Sequence, residues 1–177
     1  MPSLLLDKNV ARKAITALAK ARTGVRPTVP EEEMLRMLAL SSGGQASLFI
    51  TPETANILSQ REQILAMRLF LDQVEVMRRG RYFQRWTRRL GEHGFTPEDA
   101  KVLSYGTFGL TPSGNVMGVS FVATLDQSFI NNYRMHRDQL QRRLKAMASQ
   151  LPLPYRNVLL PPLVQPKELL RQVGWEV

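Results

Sequence analysis

The chain has 177 residues and a mass of 20.1 kDa, about the size of one domain. It contains no cysteine, which excludes a disulfide framework, a zinc–thiolate site and a thiol nucleophile. Lys and Arg number 24 against 15 acids, and the net charge of +9 favours a polyanionic partner, usually nucleic acid. The N-terminal apolar run is too short for a signal peptide, and no stretch reaches the length of a membrane span. We therefore expect a cytoplasmic protein with no membrane partner.

The first part of the chain alternates short apolar runs with segments of helical periodicity. Residues 4–6 are three leucines, which predict a strand buried on both faces, as in a parallel sheet. Apolar residues recur at helical spacing over residues 10–21 and again over 31–40, so a helix is predicted in each segment. A second strand is predicted over residues 47–51. The sequence Thr51-Pro52-Glu53 then favours a helix start, because it combines a hydroxyl cap, a proline at the first helical position and a first-turn acid.

The rest of the chain continues the alternation. The predicted elements, in chain order, are helical pieces to about residue 90 with a break at Gly80, a helix opened by Thr96 and Asp99, a loop over 106–118, a strand over 119–124, a helix from Asp126 to about residue 150, a strand-like run over 157–160 and a short helix over 167–173.

Strands separated by helices predict a fold of the α/β class, because right-handed crossovers place helices on both faces of a parallel sheet. We expect a three-layer α/β/α sandwich with a central, mainly parallel sheet. The sequence has no internal repeat and no hinge, so residues 1–177 are predicted to form one domain. In this interpretation, residues 133–177 supply a C-terminal helix and a proline-rich closing segment.

Three acids occupy positions where a parallel sheet binds ligands. Asp7 and Asp126 each follow a predicted buried strand and precede a helix, and Asp99 lies in the first turn of another helix. Ligands of open α/β sheets bind beyond the carboxyl ends of the strands, so these side chains can converge. Clustered carboxylates repel one another, and a hard cation such as Mg²⁺ or Mn²⁺ relieves the repulsion and can activate a water against a phosphodiester. The alternative is that each acid only caps its own helix.

Four segments resemble motifs of the PIN domain family. Residues 4–15 (LLLDKNVARKAI) resemble its start, where the first strand ends in Asp, any residue, Asn. Residues 94–100 (GFTPEDA) resemble the third-acid motif, and residues 121–129 (FVATLDQSF) are similar to the fourth motif. Residues 157–174 (NVLLPPLVQPKELLRQVG) resemble the last strand and the terminal segment. The resemblance spans essentially the whole chain in the family's order.

The resemblance implies a PIN-like fold and a metal-dependent endoribonuclease that uses Mg²⁺ or Mn²⁺ to cleave RNA phosphodiester bonds. By position, Asp7, Asp99 and Asp126 would be the catalytic and metal-binding acids. Asn9 would orient Asp7, and Thr124 would support the metal or its water. These roles are those that the resemblance implies for the matching residues.

One position departs from the family pattern. PIN nucleases usually carry a further acid about six residues after the Ser or Thr that follows the second strand. Counting from Thr51, this position falls near Asn56 and Ile57. Asn56 can offer a carbonyl oxygen to a cation but no charge, and we interpret Glu53 as a first-turn helix acid rather than a ligand. The alternative function is therefore a catalytically weak or inactive PIN-like module that binds RNA or an acidic protein partner.

Arginines are concentrated between residues 61 and 89, with Tyr82, Phe83 and Trp86 among them. Arginine suits phosphate, and aromatic faces can stack bases, although Phe83 and Trp86 taken singly are better explained by core packing or a dimer interface. A second basic cluster covers residues 134–145. The predicted nucleic-acid-binding residues are Arg78, Arg79, Arg81, Arg85, Arg88 and Arg89.

Three further interpretations concern partners and other sites. Many small PIN proteins are the toxin of a toxin–antitoxin pair, so an acidic antitoxin-like protein is an alternative partner for the arginines, and a homodimer is left open. His93 and His136 have no ligand spacing and are predicted to be isolated surface residues. A weaker third hypothesis is an unrelated doubly wound protein that binds a small phosphorylated ligand at the same sheet edge.

Overall fold

The structure, a computed structural model, describes residues 1–61, 63–114 and 117–172. The strands of the described residues are β1 (Ser3–Leu6), β2 (Ser47–Ile50), β3 (Glu75–Val76), β4 (Arg78–Arg79), β5 (Gly109–Leu110), β6 (Phe121–Ala123) and β7 (Leu163–Val164). Five of them form a parallel sheet in the order β3-β2-β1-β6-β7, and β4 pairs with β5 in a separate antiparallel ribbon. The sequence order reverses at β1, which lies at the centre of the sheet between β2 and β6.

The helices of the described residues connect these strands. They are α1 (Lys8–Arg22), α2 (Val29–Ser42), α3 (Pro52–Ser59), α4 (Leu65–Leu71), α5 (Phe83–Gly91), α6 (Pro97–Phe108), α7 (Gln127–Ala148) and α8 (Pro166–Gln172), with a 3₁₀ turn at Tyr155–Asn157. Within this part of the chain, no helix combines the length and the apolar character that a membrane crossing needs.

Alternate residues of the central strand build two cores, one on each face of the sheet. Leu5 packs into the core formed with α5, α6 and α7. Leu4 and Leu6 point the other way, into the core formed with α1, α2, α4 and α8. All three leucines are fully buried, which is why the strand is an unbroken apolar run rather than an alternating one. The predicted α/β class and its three-layer arrangement are therefore confirmed.

The local predictions succeed where burial or capping is strong. β1, β2 and β6 form at the predicted apolar runs. Thr51, Thr96 and Asp126 cap α3, α6 and α7, each accepting a backbone hydrogen bond from the residue three positions later.

Three local predictions are wrong in part. The helical pieces predicted to about residue 90, with a break at Gly80, are also interrupted by β3 and β4, whose residues are exposed and too few to produce a period-two pattern. The strand-like run over 157–160 is wrong, because the edge strand β7 forms only after Pro161 and Pro162. The loop predicted to begin at Gly106 is also wrong at its start, since α6 continues to Phe108.

Gly106 lies where the helix touches the sheet. A Cβ on this residue would come within 2.8 Å of Val122 Cγ2 and 2.9 Å of Pro161 Cγ. Glycine is required here by close packing rather than by a loop conformation, so its usual meaning as a helix breaker misled the sequence-based prediction.

Candidate active site

Asp7 is held at the carboxyl end of the central strand. Its backbone N–H donates to the carbonyl of Ala123 at 2.9 Å, which continues the pairing of β1 with β6. Its carboxylate accepts a hydrogen bond of 2.7 Å from the backbone N–H of Lys8, so Asp7 also caps α1. Only 8% of the residue is exposed. A buried carboxylate is thus fixed at the point where the sheet order reverses, the usual location of ligand sites in such sheets.

Thr124 joins Asp7 to the end of the neighbouring strand. Its hydroxyl donates to Asp7 Oδ2 at 2.8 Å and accepts from the backbone N–H of Asp126 at 3.1 Å. The threonine is fully buried, and Asp126 in turn caps α7 through a 3.0 Å bond from Phe129 N–H. One hydroxyl therefore connects the two acids that follow β1 and β6. Asn9 is exposed, so in the described residues it is Thr124 and Lys8 that hold the Asp7 carboxylate.

Asp99 lies within electrostatic reach of both of these acids. It occupies the first turn of α6, where its backbone N–H donates to the hydroxyl of Thr96 at 3.1 Å. Burial raises the pKa of Asp99, and the negative charges of Asp126 and Asp7 raise this pKa further. Burial also raises the pKa of Asp7, and this outweighs the hydrogen bonds from Thr124 and Lys8 that lower it. The negative charges of these acids, which come from three separate segments, therefore act on one another at this edge of the sheet.

A cavity of about 290 Å³ opens beside Asp7. It lies between the first turns of α1, α3 and α6, which all begin at the same edge of the sheet. Its lining residues are Asp7, Lys8, Thr51, Glu53, Thr54, Ile57, Pro97, Glu98, Lys101 and Val102. The Lys8 ammonium forms an ion pair with Glu98, and Arg79 forms one with Glu53 at 2.9 Å. The cavity is thus lined by three acids, two of which have basic partners.

The structure also shows where Asn56 and Ile57 lie, near the position at which PIN nucleases usually carry a further acid. Asn56 is exposed and its side chain is not part of the cavity lining, whereas Ile57 is. Glu53 lines the cavity one helical turn earlier, so its interpretation as only a first-turn helix acid is incomplete. The sequence position of Glu53 could have indicated this, because the first turn of a helix that follows a parallel strand lies at the edge of the sheet where ligands bind.

The acids at this edge of the sheet offer oxygen ligands to a divalent cation. Carboxylate oxygens suit Mg²⁺ and Mn²⁺. Within the described residues, no three His, Asp or Glu side chains come close enough to hold one ion among them. Mg²⁺ usually binds through one or two carboxylates and completes its shell with water and substrate phosphate. A site of that second kind would use Asp7, which lines the cavity, and Asp126, which is linked to Asp7 through its backbone N–H and the Thr124 hydroxyl.

Two arginines of the predicted nucleic-acid-binding surface, Arg79 and Arg89, form ion pairs with glutamates. Arg79 donates through Nε to the Tyr105 hydroxyl at 3.1 Å, besides its ion pair with Glu53. Arg89 pairs with Glu92 at 3.0 Å, and Arg143 on α7 pairs with the same glutamate at 2.6 Å. The two basic clusters of the sequence therefore meet between α5 and α7. Arg78, Arg81, Arg85 and Arg88 are exposed, and so is Arg79.

The aromatic residues among these arginines belong to the core. Trp86 is fully buried and Phe83 is 3% exposed, so neither ring is available to stack a base. The prediction that core packing explains both residues is confirmed. Tyr82 is half-buried against Tyr155, with ring centroids 4.8 Å apart.

His93 and His136 are neighbours in space. Their ring centroids lie 5.5 Å apart, and both are half-buried beside Phe95. Burial lowers the pKa of His93, and the nearby His136 lowers it further. The prediction of two isolated surface histidines is wrong, because sequence spacing carries no information about a contact between a turn and a distant helix.

Comparison with known proteins provides no family assignment. No protein-family model matches the chain. No curated protein matches it either. The PIN resemblance therefore rests on the motifs of this chain, and the functional argument rests on the geometry at the carboxyl edge of the sheet.

Proposed function

We propose that the chain is a PIN-like, metal-dependent endoribonuclease whose reaction takes place at the carboxyl edge of the sheet. The observation that carries the proposal is the hydrogen-bonded link from Asp7 through Thr124 to Asp126. This link joins Asp7, which follows β1, to Asp126, which follows β6. The negative charges of both residues raise the pKa of Asp99. Capping alone needs no such link, since each aspartate accepts its capping bond from its own helix.

The residues have separate roles in this proposal. Asp7 and Asp126 bind the Mg²⁺ or Mn²⁺ ion, and Asp99 adds negative charge beside it. Thr124 is a positioning residue, because its donated hydrogen bond fixes Asp7 Oδ2 while the backbone N–H of Lys8 donates to Oδ1. A metal bound there would supply the positive charge that activates water and stabilises the phosphodiester in the transition state. The exposed arginines beside α5 hold the RNA backbone through phosphate contacts.

RNA cleavage with and without Mn²⁺ tests the proposal. The Asp7→Asn variant keeps the size of the side chain but removes its charge, and we expect cleavage to fall about 100-fold or more. Asp138→Asn is the matched control, because Asp138 is an exposed aspartate in the middle of α7 and far along the helix from Asp126. Metal-independent cleavage, or equal activity of the two variants, would contradict the proposal.

A second candidate function is a PIN-like module that binds RNA or an acidic protein without cleaving RNA. Ile57 favours it, because an apolar side chain lines the cavity near the position where PIN nucleases usually carry an acid. The ion pair between Lys8 and Glu98 also favours the non-cleaving module, since it already neutralises one carboxylate of the cavity. Calorimetric titration with Mn²⁺ separates the two functions. Saturable binding that Asp7→Asn abolishes supports the nuclease, and RNA binding without metal uptake supports the module.

A small phosphorylated ligand is the least favoured occupant. Glu98 and Glu53 are already paired with Lys8 and Arg79, and the buried Asp7 carboxylate repels a phosphate that no cation accompanies. The proposal therefore keeps RNA as the substrate class and a divalent ion as its companion.

A further inference from the structure

We propose that the groove beside the C-terminal end of α7 is a docking site for an acidic amphipathic helix of a partner protein. The groove has a volume of about 830 Å³. Its lining residues are Gln141, Leu144, Lys145, Ala148, Ser149, Arg156, Asn157, Val158, Leu159 and Leu160. This α7 groove goes beyond the proposed ribonuclease function and does not depend on it.

The α7 groove has the form of a helix-binding site. One wall is a single stripe of α7, because residues 141, 144, 145, 148 and 149 recur at spacings of three and four. The other wall is the segment 156–160, which is held to the body by a hydrogen bond from Arg156 Nε to the carbonyl of Leu151. The stripe extends about 12 Å along the helix axis. A partner helix of two to three turns matches this length.

The α7 groove has an apolar floor and an exposed leucine at its rim. Leu144 and Ala148 are 3% exposed and form part of its floor. Leu159 is 81% exposed at its rim, the highest exposure among the large apolar residues described. An exposed leucine next to a buried apolar floor is the arrangement that a docking partner covers, because its burial removes apolar surface from water.

Charge identifies the partner. Lys145 and Arg156 are the charged residues among the ten that line the α7 groove, and no acid lines it. The chain carries a net charge of +9, so a second copy would bring positive charge towards positive charge. An acidic helix places leucines on the floor and carboxylates against these two cations. RNA fits less well, since none of the ten lining residues is aromatic and half of them are apolar.

The α7 groove lies far from the acids of the candidate active site. Asp126 caps the first turn of α7, and Gln141 is fifteen residues further along the helix. This corresponds to about 22 Å at 1.5 Å per residue. A helix docked in the groove therefore leaves the cavity beside Asp7 open. The partner acts by recruitment or localisation rather than by covering the candidate active site.

The test uses the purified full chain and fluorescent peptides of about 15 residues, the length at which an isolated helix begins to be stable. One peptide has leucines on one face and glutamates on the others, a second has the same composition in scrambled order, and a third replaces glutamate by lysine. Fluorescence anisotropy should show saturable binding of the first peptide alone. Leu159→Asp should weaken this binding about tenfold, because it places a negative charge where a leucine is buried.

Met135→Asp is the matched control, because Met135 is a 77% exposed apolar residue of α7 outside the groove. It should leave the affinity unchanged, and both variants should keep the wild-type melting temperature. Equal weakening by the two variants, or equal affinity for the scrambled peptide, would overturn the proposal. So would a dimer in sedimentation velocity that Leu159→Asp dissociates, or an RNA whose binding requires Leu159. Those outcomes would assign the groove to a second copy or to nucleic acid.

Discussion

Two buried acids of this chain are held in opposite ways. Glu31, in the first turn of α2, accepts hydrogen bonds from Lys20 Nζ at 2.8 and 2.9 Å and from Thr28 N–H at 2.7 Å. The bonds from Lys20 and Thr28 lower the pKa of Glu31 to about 2. Asp7 also accepts two hydrogen bonds, yet burial raises its pKa. The difference lies in the counter-charge: an ammonium contacts Glu31 directly, whereas Lys8 beside Asp7 pairs with Glu98 instead.

The comparison separates an acid whose charge stabilises the fold from acids whose charge costs stability. Around Glu31 every partner stabilises the ionised form, so the charge supports the fold. At the carboxyl edge of the sheet, the buried Asp7 and the half-buried Asp99 lie near like charges, and their ionised forms cost stability. Acids with raised pKa values in a cleft are typical of binding and catalytic sites. Three substitutions test this contrast.

The largest effect is expected at the link between the strands. Thr124→Val keeps the volume of the side chain but removes the hydroxyl that donates to Asp7. We expect a loss of about 1–3 kcal/mol in the free energy of unfolding, because a buried carboxylate loses a donor. Urea denaturation measures it. Thr107→Val is the control, since the Thr107 hydroxyl is equally buried but donates to the carbonyl of Leu103 within its own helix. Equal losses in the free energy of unfolding would mean that the hydrogen bond from Thr124 to Asp7 stabilises the fold no more than a hydrogen bond within one helix.

A smaller loss is expected at the structural acid, with a defined pH dependence. The folded pKa of Glu31 lies below its ordinary value of 4.5, so its charge stabilises the fold above pH 4.5. This contribution disappears as the pH falls from 4.5 to about 2. Glu31→Gln should therefore lower the melting temperature at neutral pH and leave it unchanged at pH values near 2. Glu33→Gln, a less buried neighbour on the same helix, should show little change at either pH. A pH-independent loss in Glu31→Gln would contradict the assigned role of its charge.

The smallest expected effect is a gain in stability, on replacing Asp99. The folded pKa of Asp99 lies above its ordinary value of 3.8, so its ionised form costs stability at neutral pH. Asp99→Asn should raise the melting temperature at neutral pH, and this gain should vanish as the pH falls below 3.8. Asp138→Asn, at an exposed site of α7, serves as the comparison. If Asp99→Asn lowers the melting temperature at neutral pH, then Asp99 is a structural acid like Glu31.

The features predicted from sequence are those with a local cause. β1, β2 and β6 are apolar runs buried on both faces; Asp7 follows β1 directly, and Asp126 is the third residue after β6. Strand order and helix placement then bring these acids to one edge. Because all strands of a parallel sheet end on the same side, the approximate site could be predicted without coordinates.

The features that sequence missed depend on contacts between distant segments. β3 contains two exposed residues and becomes a strand only because Phe49 and Ile50 of β2 pair with it. Glu53 enters the cavity through the position of α3 over the sheet edge, and its ion pair with Arg79 joins two segments far apart in the chain. The contact of His93 with His136 has the same origin. None of these contacts leaves a periodic signal.

The absence of a side chain at Gly106 has a consequence for Asp99, because both belong to α6. The hydrogen atom of Gly106 sets how closely this helix approaches Val122 and Pro161. A methyl group at that position would force the helix, Val122 or Pro161 to shift, and a shift of the helix would carry its acidic first turn outward. The spacing between Asp99 and the acids that follow the strands therefore depends on a residue about two turns away, which contacts neither metal nor RNA in the proposed reaction.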